Sequence, residues 1–291
     1  MNYHQTVLKD EIRNFLVSDD RGIYLDVTCG GGGHAEALLE QYPYIRLVAS
    51  DWDSNAIKAT QERLARFQDR VVIMQSSFAL LRKILKENGF SSFHGILADF
   101  GTSRYQLAHQ DGFSFHHDSF LDMRMSSAYR KILAADILAH YSEKELADIF
   151  FYFGQERHAK KIARVIVERR RIKPIRTTMH LASIIKEILP KTGYIHPATK
   201  IFQALRIEVN KEFEEIESFL AIVPEYLVVG GRLACISFHS LEDGLVKKFY
   251  MAHKQSFSCF NNNKIILPTD DEVRENKAAR SAKLRILEKL S

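Results

Sequence analysis

Residues Ile23 to Asp53 constrain this chain more than any other stretch. They read Ile-Tyr-Leu-Asp-Val-Thr-Cys, then the four glycines Gly30 to Gly33, then His-Ala-Glu-Ala-Leu-Leu, and later Leu-Val-Ala-Ser-Asp-Trp-Asp. An apolar, β-branched run meets a glycine turn, a helical pattern starts near His34, and a second apolar run, Leu47 to Ala49, ends on Asp51. This is the order of a βαβ unit that holds a nucleotide. Glycine lets the backbone approach a ligand where a Cβ would collide with it or forbid the dihedrals. The helix start offers free N–H groups and a positive dipole end. Asp51, about 20 residues on, is placed to accept hydrogen bonds from a ribose diol. A turn needed only for packing is the competing reading. Each glycine costs up to about 1 kcal/mol relative to alanine in a regular element, so four in a row favour a ligand. The spacing Gly30-x-Gly32-x-x-Ala35 would also suit an NAD-dependent oxidoreductase.

The rest of the first hundred residues keeps an α/β rhythm. Val7 to Phe15 has helical spacing, a helix is expected over about Ser54 to Arg66, and strands over Val71 to Met74 and Gly95 to Asp99. Phe78 is expected at the carboxyl end of the third strand, where its ring would either stack on a purine or fill the core. Asp99 ends the fourth strand at the same rim as the glycine turn and Asp51. Three strand ends converge there, which favours function over a simple turn cap.

The rhythm then breaks. From about Leu107 to Thr199 helical periodicity dominates, with helices expected over Ile132 to His140, Ser142 to Phe153, Ala159 to Arg170 and Met179 to Leu189. Ser142 and Glu145 have capping-box spacing. A longer helix over Phe202 to Leu220, with Ile216, Phe219 and Leu220 inward, leads back to the sheet. Tyr226 to Ser237 then reads as a helix end, a Gly230-Gly231 turn and a fifth strand. A last helix at Leu245 to Tyr250, a loop at Asn261-Asn262-Asn263 and a final strand at Ala282 to Ile286 complete the chain. The expected fold is α/β, a Rossmann-like sheet with an inserted all-helical domain. Residues 1–106 and 200–291 form the first domain and residues 107–199 the second.

Charge points to the partner. The chain carries a net charge of +5, too small to be decisive, but its cations cluster. Arg157, Lys160, Lys161, Arg164, Arg169, Arg170, Arg171, Lys173 and Arg176 fall in one segment with Glu156 and Glu168 as the acids, and Ile162, Ala163, Val165 and Ile166 supply its apolar face. Such a face can track the phosphates of a nucleic acid; a solvated, ion-paired helix surface is the alternative. The three cysteines, Cys29, Cys235 and Cys259, lie far apart without metal-ligand spacing. They suggest a reducing compartment, and no disulfide or metal site is expected. With neither a targeting pattern nor 18 uninterrupted apolar residues, the chain is expected in the cytoplasm and off the membrane.

Several motifs then occur in order: His4-x-x-Val-Leu, Asp26-x-Thr-x-Gly-x-Gly-Gly-His34, Asp51-x-Asp53, Gly95-Ile-Leu-x-Asp99-x-Gly, Gly112-Phe-Ser-Phe, Leu121-Asp-Met-Arg-Met125, Tyr152-x-Gly-x-Glu-Arg157, His196-Pro-Ala-Thr, Phe202-Gln-Ala-x-Arg-Ile, Gly230-Gly-Arg-Leu and Ser237-Phe-His-Ser-Leu-Glu-Asp243. Together they closely resemble the RsmH (MraW) family of bacterial 16S ribosomal RNA methyltransferases, over nearly the whole chain. The resemblance implies a class I methyltransferase sheet, S-adenosylmethionine as cofactor and methylation of the exocyclic amine (N4) of a cytidine in the small-subunit decoding region. It places cofactor contacts on Gly32, Gly33, His34, Asp51, Phe78, Asp99 and Gln106. Asp99 is the expected acceptor of the amine proton, with a neighbouring backbone carbonyl second. Small-subunit rRNA is the implied partner, a homodimer is left open, and a ribosome-binding paralogue without catalysis is the rival reading.

Three departures from the family pattern fall in segments expected to face the substrate. Ser103-Arg104-Tyr105 stands where Ser-Ser-Pro is usual, and Ser126 replaces an acid. Asn276-Lys-Ala-Ala-Arg-Ser replaces Asn-Pro-Arg-Ala-Arg-Ser, behind a shortened loop.

Overall fold

The computed structural model describes residues 6–102, 106, 110–189, 196–261 and 264–291. It divides into two compact units, Met1–Ser103 with Phe213–Ser291, and Arg104–Glu212. The sequence reading had returned the chain to the first unit at residue 200. The structure keeps the helix over 199–210 in the second, because Ile201, Phe202, Ala204, Leu205 and Val209 are buried in that unit's core.

The first unit is built on a sheet. Among the described residues its strands are β1 (Ile23–Asp26), β2 (Arg46–Asp51), β3 (Val71–Gln75), β4 (Phe93–Asp99), β5 (Leu227–Ser237), β6 (Phe257–Cys259) and β7 (Lys283–Lys289). Their order is β3-β2-β1-β4-β5-β7-β6. β1 to β5 pair in parallel, while β7 runs antiparallel to β5 and to β6. This is the Rossmann-like sheet expected from the sequence. Its inner strands β1, β2 and β4 carry continuous buried runs because both faces are covered there. Successive residues alternate between two cores: Tyr24, Leu47, Leu97 and Ala234 face one, and Leu25, Val48, Ile96 and Leu233 the other. The first core is closed by α1 (Lys9–Phe15), α2 (Gly33–Gln41) and α3 (Ser54–Leu64), through Ile12, Leu38 and Ile57. The second is closed by α4 (Phe78–Glu87), the helix Glu212–Tyr226 and the helix Ser240–Ala252, through Leu81, Phe219 and Val246.

Among the described residues, the second unit includes the helices α5 (Ala134–His140), α6 (Glu143–Tyr152), α7 (Ala159–Ile172), α8 (Thr178–Ile188) and α9 (Thr199–Asn210). The helix Glu212–Tyr226 follows as α10, and Ser240–Ala252 and Asp270–Glu275 are α11 and α12. The capping box at α6 forms: Ser142 N–H donates to Glu145 Oε2 at 2.8 Å, and Glu145 N–H to Ser142 Oγ at 3.3 Å. Leu138, Phe150, Ile162, Ile166, Leu181 and Leu205 fill this unit's own core.

The Leu121-Asp-Met-Arg-Met125 motif proves to be a clamp within this unit. Asn210, fully buried, donates through Nδ2 to the Met123 carbonyl at 2.8 Å and accepts from Met125 N–H at 2.8 Å. Arg124 grips Asp122 in two bonds of 2.7 and 2.8 Å. Met123 has φ +63°, and a Cβ on Gly112 would come within 2.8 Å of the Asp122 and Met123 amides. Only glycine therefore fits at 112.

Other local expectations change. The helix expected over Phe202 to Leu220 is two helices, broken at Lys211, whose φ is +52°. Lys211 ends the first as a left-handed cap whose N–H turns back to the Ile207 and Glu208 carbonyls, while Asn210 beside it gives its side chain to the clamp. The Gly230-Gly231 turn is not a preface to β5 but a bulge within it: Phe93 pairs with Leu227, yet Gly95 pairs with Arg232. α4 and α12 arise in segments for which the sequence suggests no element. The Asn261-Asn262-Asn263 loop lies partly, and Ser103-Arg104-Tyr105 wholly, outside the described residues. No helix among the described residues is long and apolar enough to cross a membrane.

Candidate active site

Parallel strands bring their carboxyl ends to one edge, and the sequence puts acids there. β1 ends on Asp26, β2 on Asp51 and β4 on Asp99. Cys29 N–H donates to the Ser50 carbonyl at 2.9 Å, and Gly30 N–H to Asp51 Oδ2 at 3.0 Å, so the glycine turn is fastened across the tip of β2. Asp51 Oδ1 also accepts from Asp53 N–H at 2.9 Å. Asp53 itself caps α3 by accepting from Asn55 N–H at 2.9 Å. Each Asp51 oxygen has lone pairs to spare for a further donor.

The glycines divide by role. Gly30 and Gly32 have φ of +52° and +77°, which side-chain-bearing residues rarely adopt. Gly33 is different. A Cβ there would lie 1.9 Å from Thr6 Oγ1, so this glycine lets the N-terminal arm pack on the turn. That arm is held in turn by Glu272 of α12, which accepts from Leu8 N–H at 2.7 Å.

Behind the turn, α2 delivers His34 to the rim. Its Nε2 stands 3.7 Å from Asp99 Oδ2, too far for a hydrogen bond, and both ring nitrogens are buried without a partner. Asp99 Oδ1 is likewise buried and unpartnered, while the Asp99 amide donates to Thr28 Oγ1 at 2.6 Å. Asp26 joins this group although the sequence reading gave it no role. Its Oδ1 accepts from Thr28 N–H at 3.1 Å and its Oδ2 has no partner. The available signal was its place as the last strand residue before the glycines. Unsatisfied buried polar atoms are costly, and a cluster of them at one sheet edge makes this edge the candidate site for a polar ligand. Burial raises the Asp26 carboxyl to about 6 and the Asp51 carboxyl from 3.8 to about 7. The hydrogen bonds from Asp53 and Gly30 pull Asp51 the other way without overcoming desolvation.

Phe78 is the first residue of α4 rather than the end of β3. Its ring is partly buried, 5.2 Å from Phe219 and 6.4 Å from Phe100, so one part of it belongs to the core. Ser76 and Ser77, just before it, are buried at the same edge. Gln106 is buried within the second unit, where its carbonyl accepts from Gln110 N–H at 3.0 Å.

Cations dominate the exposed surface of α7. Arg157, Lys160, Lys161, Arg164, Arg169 and Arg171 are exposed. Among the described residues no carboxylate pairs with any of these except Arg169, which meets Glu187 at 2.7 Å. Arg170 is spent otherwise. Its Nη1 donates to the carbonyls of Leu138 and Tyr141, both at 2.7 Å, closing the C-terminal end of α5. The sequence reading grouped it with phosphate-binding cations; in the structure it is a helix cap.

A mainly parallel sheet with a glycine turn, a strand-tip acid bonded to it and an antiparallel β7 defines an α/β, Rossmann-like fold of the methyltransferase class. The sequence model of the MraW methylase family matches residues 1–290, and the chain belongs to that family. It is 46% identical over 283 residues to the ribosomal RNA small subunit methyltransferase H of Hydrogenobaculum sp. (strain Y04AAS1), covering 97% of this chain and 94% of that one. It is 42% identical over 287 residues to the protein of the same name from Sulfurihydrogenibium sp. (strain YO3AOP1), covering 97% of this chain and 98% of that one. To the one from Nostoc sp. (strain PCC 7120 / SAG 25.82 / UTEX 2576) it is 45% identical over 290 residues, covering 98% and 92%.

Proposed function

We propose that this methyltransferase uses S-adenosylmethionine to methylate the exocyclic amine (N4) of a cytidine in the decoding region of small-subunit (16S) ribosomal RNA. The name shared by its relatives supports the substrate class, and the family motifs support the nucleotide. The observation that carries the reading is the cluster of buried, unpartnered polar atoms on Asp26, His34 and Asp99, beside a glycine turn anchored to Asp51.

Those residues fit the cofactor. Asp51 retains lone pairs for the ribose hydroxyls, and the turn at Gly30 to Gly33 leaves room for backbone to approach it. His34 and Asp99 supply polar atoms with no competing partner in the fold, and the free face of Phe78 suits the adenine. Gln106 is assigned to the same group by the resemblance alone. When bound, S-adenosylmethionine supplies a methyl group already activated on a sulfonium.

Much of the acceleration then comes from holding the amine about 3 Å from that carbon, in line with the bond that breaks. Cytosine's exocyclic nitrogen is a poor nucleophile because its lone pair is delocalised into the ring. Asp99 Oδ1 accepts one of its N–H bonds, which favours a pyramidal nitrogen, and takes the proton released on transfer; a neighbouring backbone carbonyl is the second candidate. The base must be unpaired or flipped to enter. Arg157, Lys160, Lys161, Arg164, Arg169 and Arg171 hold the RNA backbone, Arg169 after exchanging Glu187 for phosphate. The protein works in the cytoplasm, where its substrate is made.

Small subunits from a strain lacking the gene, incubated with the protein and methyl-labelled S-adenosylmethionine, test this. The native chain incorporates label and Asp99→Asn loses on the order of 100-fold or more in kcat. Undiminished turnover in that variant would remove Asp99 as the acceptor; no incorporation by the native chain would remove the function.

A further inference from the structure

The basic helix explains affinity for a phosphate backbone but not how a single-stranded base would be held. Phe151 and Tyr152, the last two residues of α6, are 55% and 63% exposed. Their rings meet edge to face with centroids 5.2 Å apart. Leu146, Ala147, Ile149 and Phe150 already supply this helix's buried face, so the pair is surplus to the core.

The chain doubles back immediately. Glu156 N–H donates to the Phe150 carbonyl at 3.1 Å, and Gln155 has φ +49°. Gly154 permits the turn, since a Cβ there would lie 2.7 Å from the carbonyls of Phe150 and Lys200. Arg157 is thereby returned to the end of α6 that carries the rings, with Lys160 and Lys161 one helical turn further. None of these three cations is paired with an acid among the described residues. Glu156 is offset by Lys200 at 3.8 Å, and the exposed acids Asp148, one turn back on α6, and Glu168, one turn beyond Arg164, are outnumbered by the cations.

We propose that Phe151 and Tyr152 form a stacking platform for an unpaired base of RNA, at the end of the cationic stripe formed by Arg157, Lys160, Lys161 and Arg164. The proposal rests on the RNA reading above and adds the aromatic element to it. Every base has a π face, so such a platform is tolerant of sequence and selects single strands over duplex. Charge complementarity favours a polyanion over an apolar protein partner.

The test uses the full chain and a mixed-sequence RNA dodecamer carrying 2-aminopurine, as a single strand and as a duplex. Phe151→Ala/Tyr152→Ala binds the single strand about 5- to 150-fold more weakly and quenches the probe less, with an unchanged slope of log K on log salt. Its duplex affinity and thermal midpoint stay native. Tyr152→Phe, which keeps the ring, binds as the native chain does. Lys161→Ala/Arg164→Ala lowers the slope instead. Native single-strand affinity in the ringless variant would overturn the platform. If the charge variant were native as well, the RNA reading of this unit would fail with it. A native dimer that sediments as a monomer only in the ringless variant, with RNA affinity unchanged, would reassign the rings to a second copy of the chain and overturn the proposal.

Discussion

Asp51 shows how one residue joins structure to pH. Its folded-state carboxyl, raised to about 7, holds a proton across a window in which the unfolded chain has lost it. Without a ligand its burial therefore costs stability as pH rises from about 4 to about 7, and Asp51→Asn removes that dependence. A ribose diol donates to the ionised carboxylate, so cofactor affinity should climb between pH 6 and pH 8 and then level off. Calorimetric titration of S-adenosylmethionine checks this: a rising affinity in the native chain and a weaker, flat one in Asp51→Asn. A flat profile in the native chain would contradict the assignment. Gly33 offers a second test at this scale. Gly33→Ala is expected to destabilise by roughly 1–3 kcal/mol through overpacking against Thr6. Adding Thr6→Ala, which removes the colliding hydroxyl, should recover most of that loss in thermal unfolding. Equal losses with and without Thr6 would mean the collision is not the cause.

At the scale of elements, α7 carries two kinds of arginine that the sequence could not tell apart. Arg169 and Arg171 face solvent, whereas Arg170, between them, ties off α5 through two backbone carbonyls. Arg170→Ala should cost about 1.5–3 kcal/mol in chemical denaturation, because it removes hydrogen bonds from a charged donor. Lys161→Ala should stay within about 0.5 kcal/mol of the native chain. Matching effects would refute the division. The elements of the sheet unit were legible because period-2 burial on two faces leaves long apolar runs. Helix ends were less so. The break at Lys211 falls on a left-handed residue that is not glycine, beside an Asn210 that bonds Met123 and Met125, some 85 residues away, and no local propensity records either. α4 is absent from the expected elements because Phe78 is expected to end a strand, whereas Leu81 and Leu85 after it face the core as one side of a helix.

For the whole molecule, the sequence located the strand-tip acids and the glycine turn, because both are set by local order along the chain. It marks Asp26 only by its place before the glycines; that Asp26 lies beside Asp99 comes from the pairing of β1 with β4. Nor could it see that Gly33 serves packing. The cores of the two units are separate, which divides their salt responses. The six cations on and before α7 that are proposed to hold the RNA, Arg169 included, bound its share of the salt slope for single-stranded RNA at about −4.2, at about 0.7 per phosphate contact. Cofactor affinity, set by buried groups, should change little over the same range. A salt-independent RNA affinity would show that α7 is not the contact.

The most direct measurement is mass spectrometry of nucleosides from small-subunit RNA, isolated from a strain lacking the gene and treated with the protein and deuterated-methyl S-adenosylmethionine. The account predicts labelled N4-methylcytidine from one decoding-region fragment. Label on a ring carbon, on a ribose or on another base, or none at all, would contradict it.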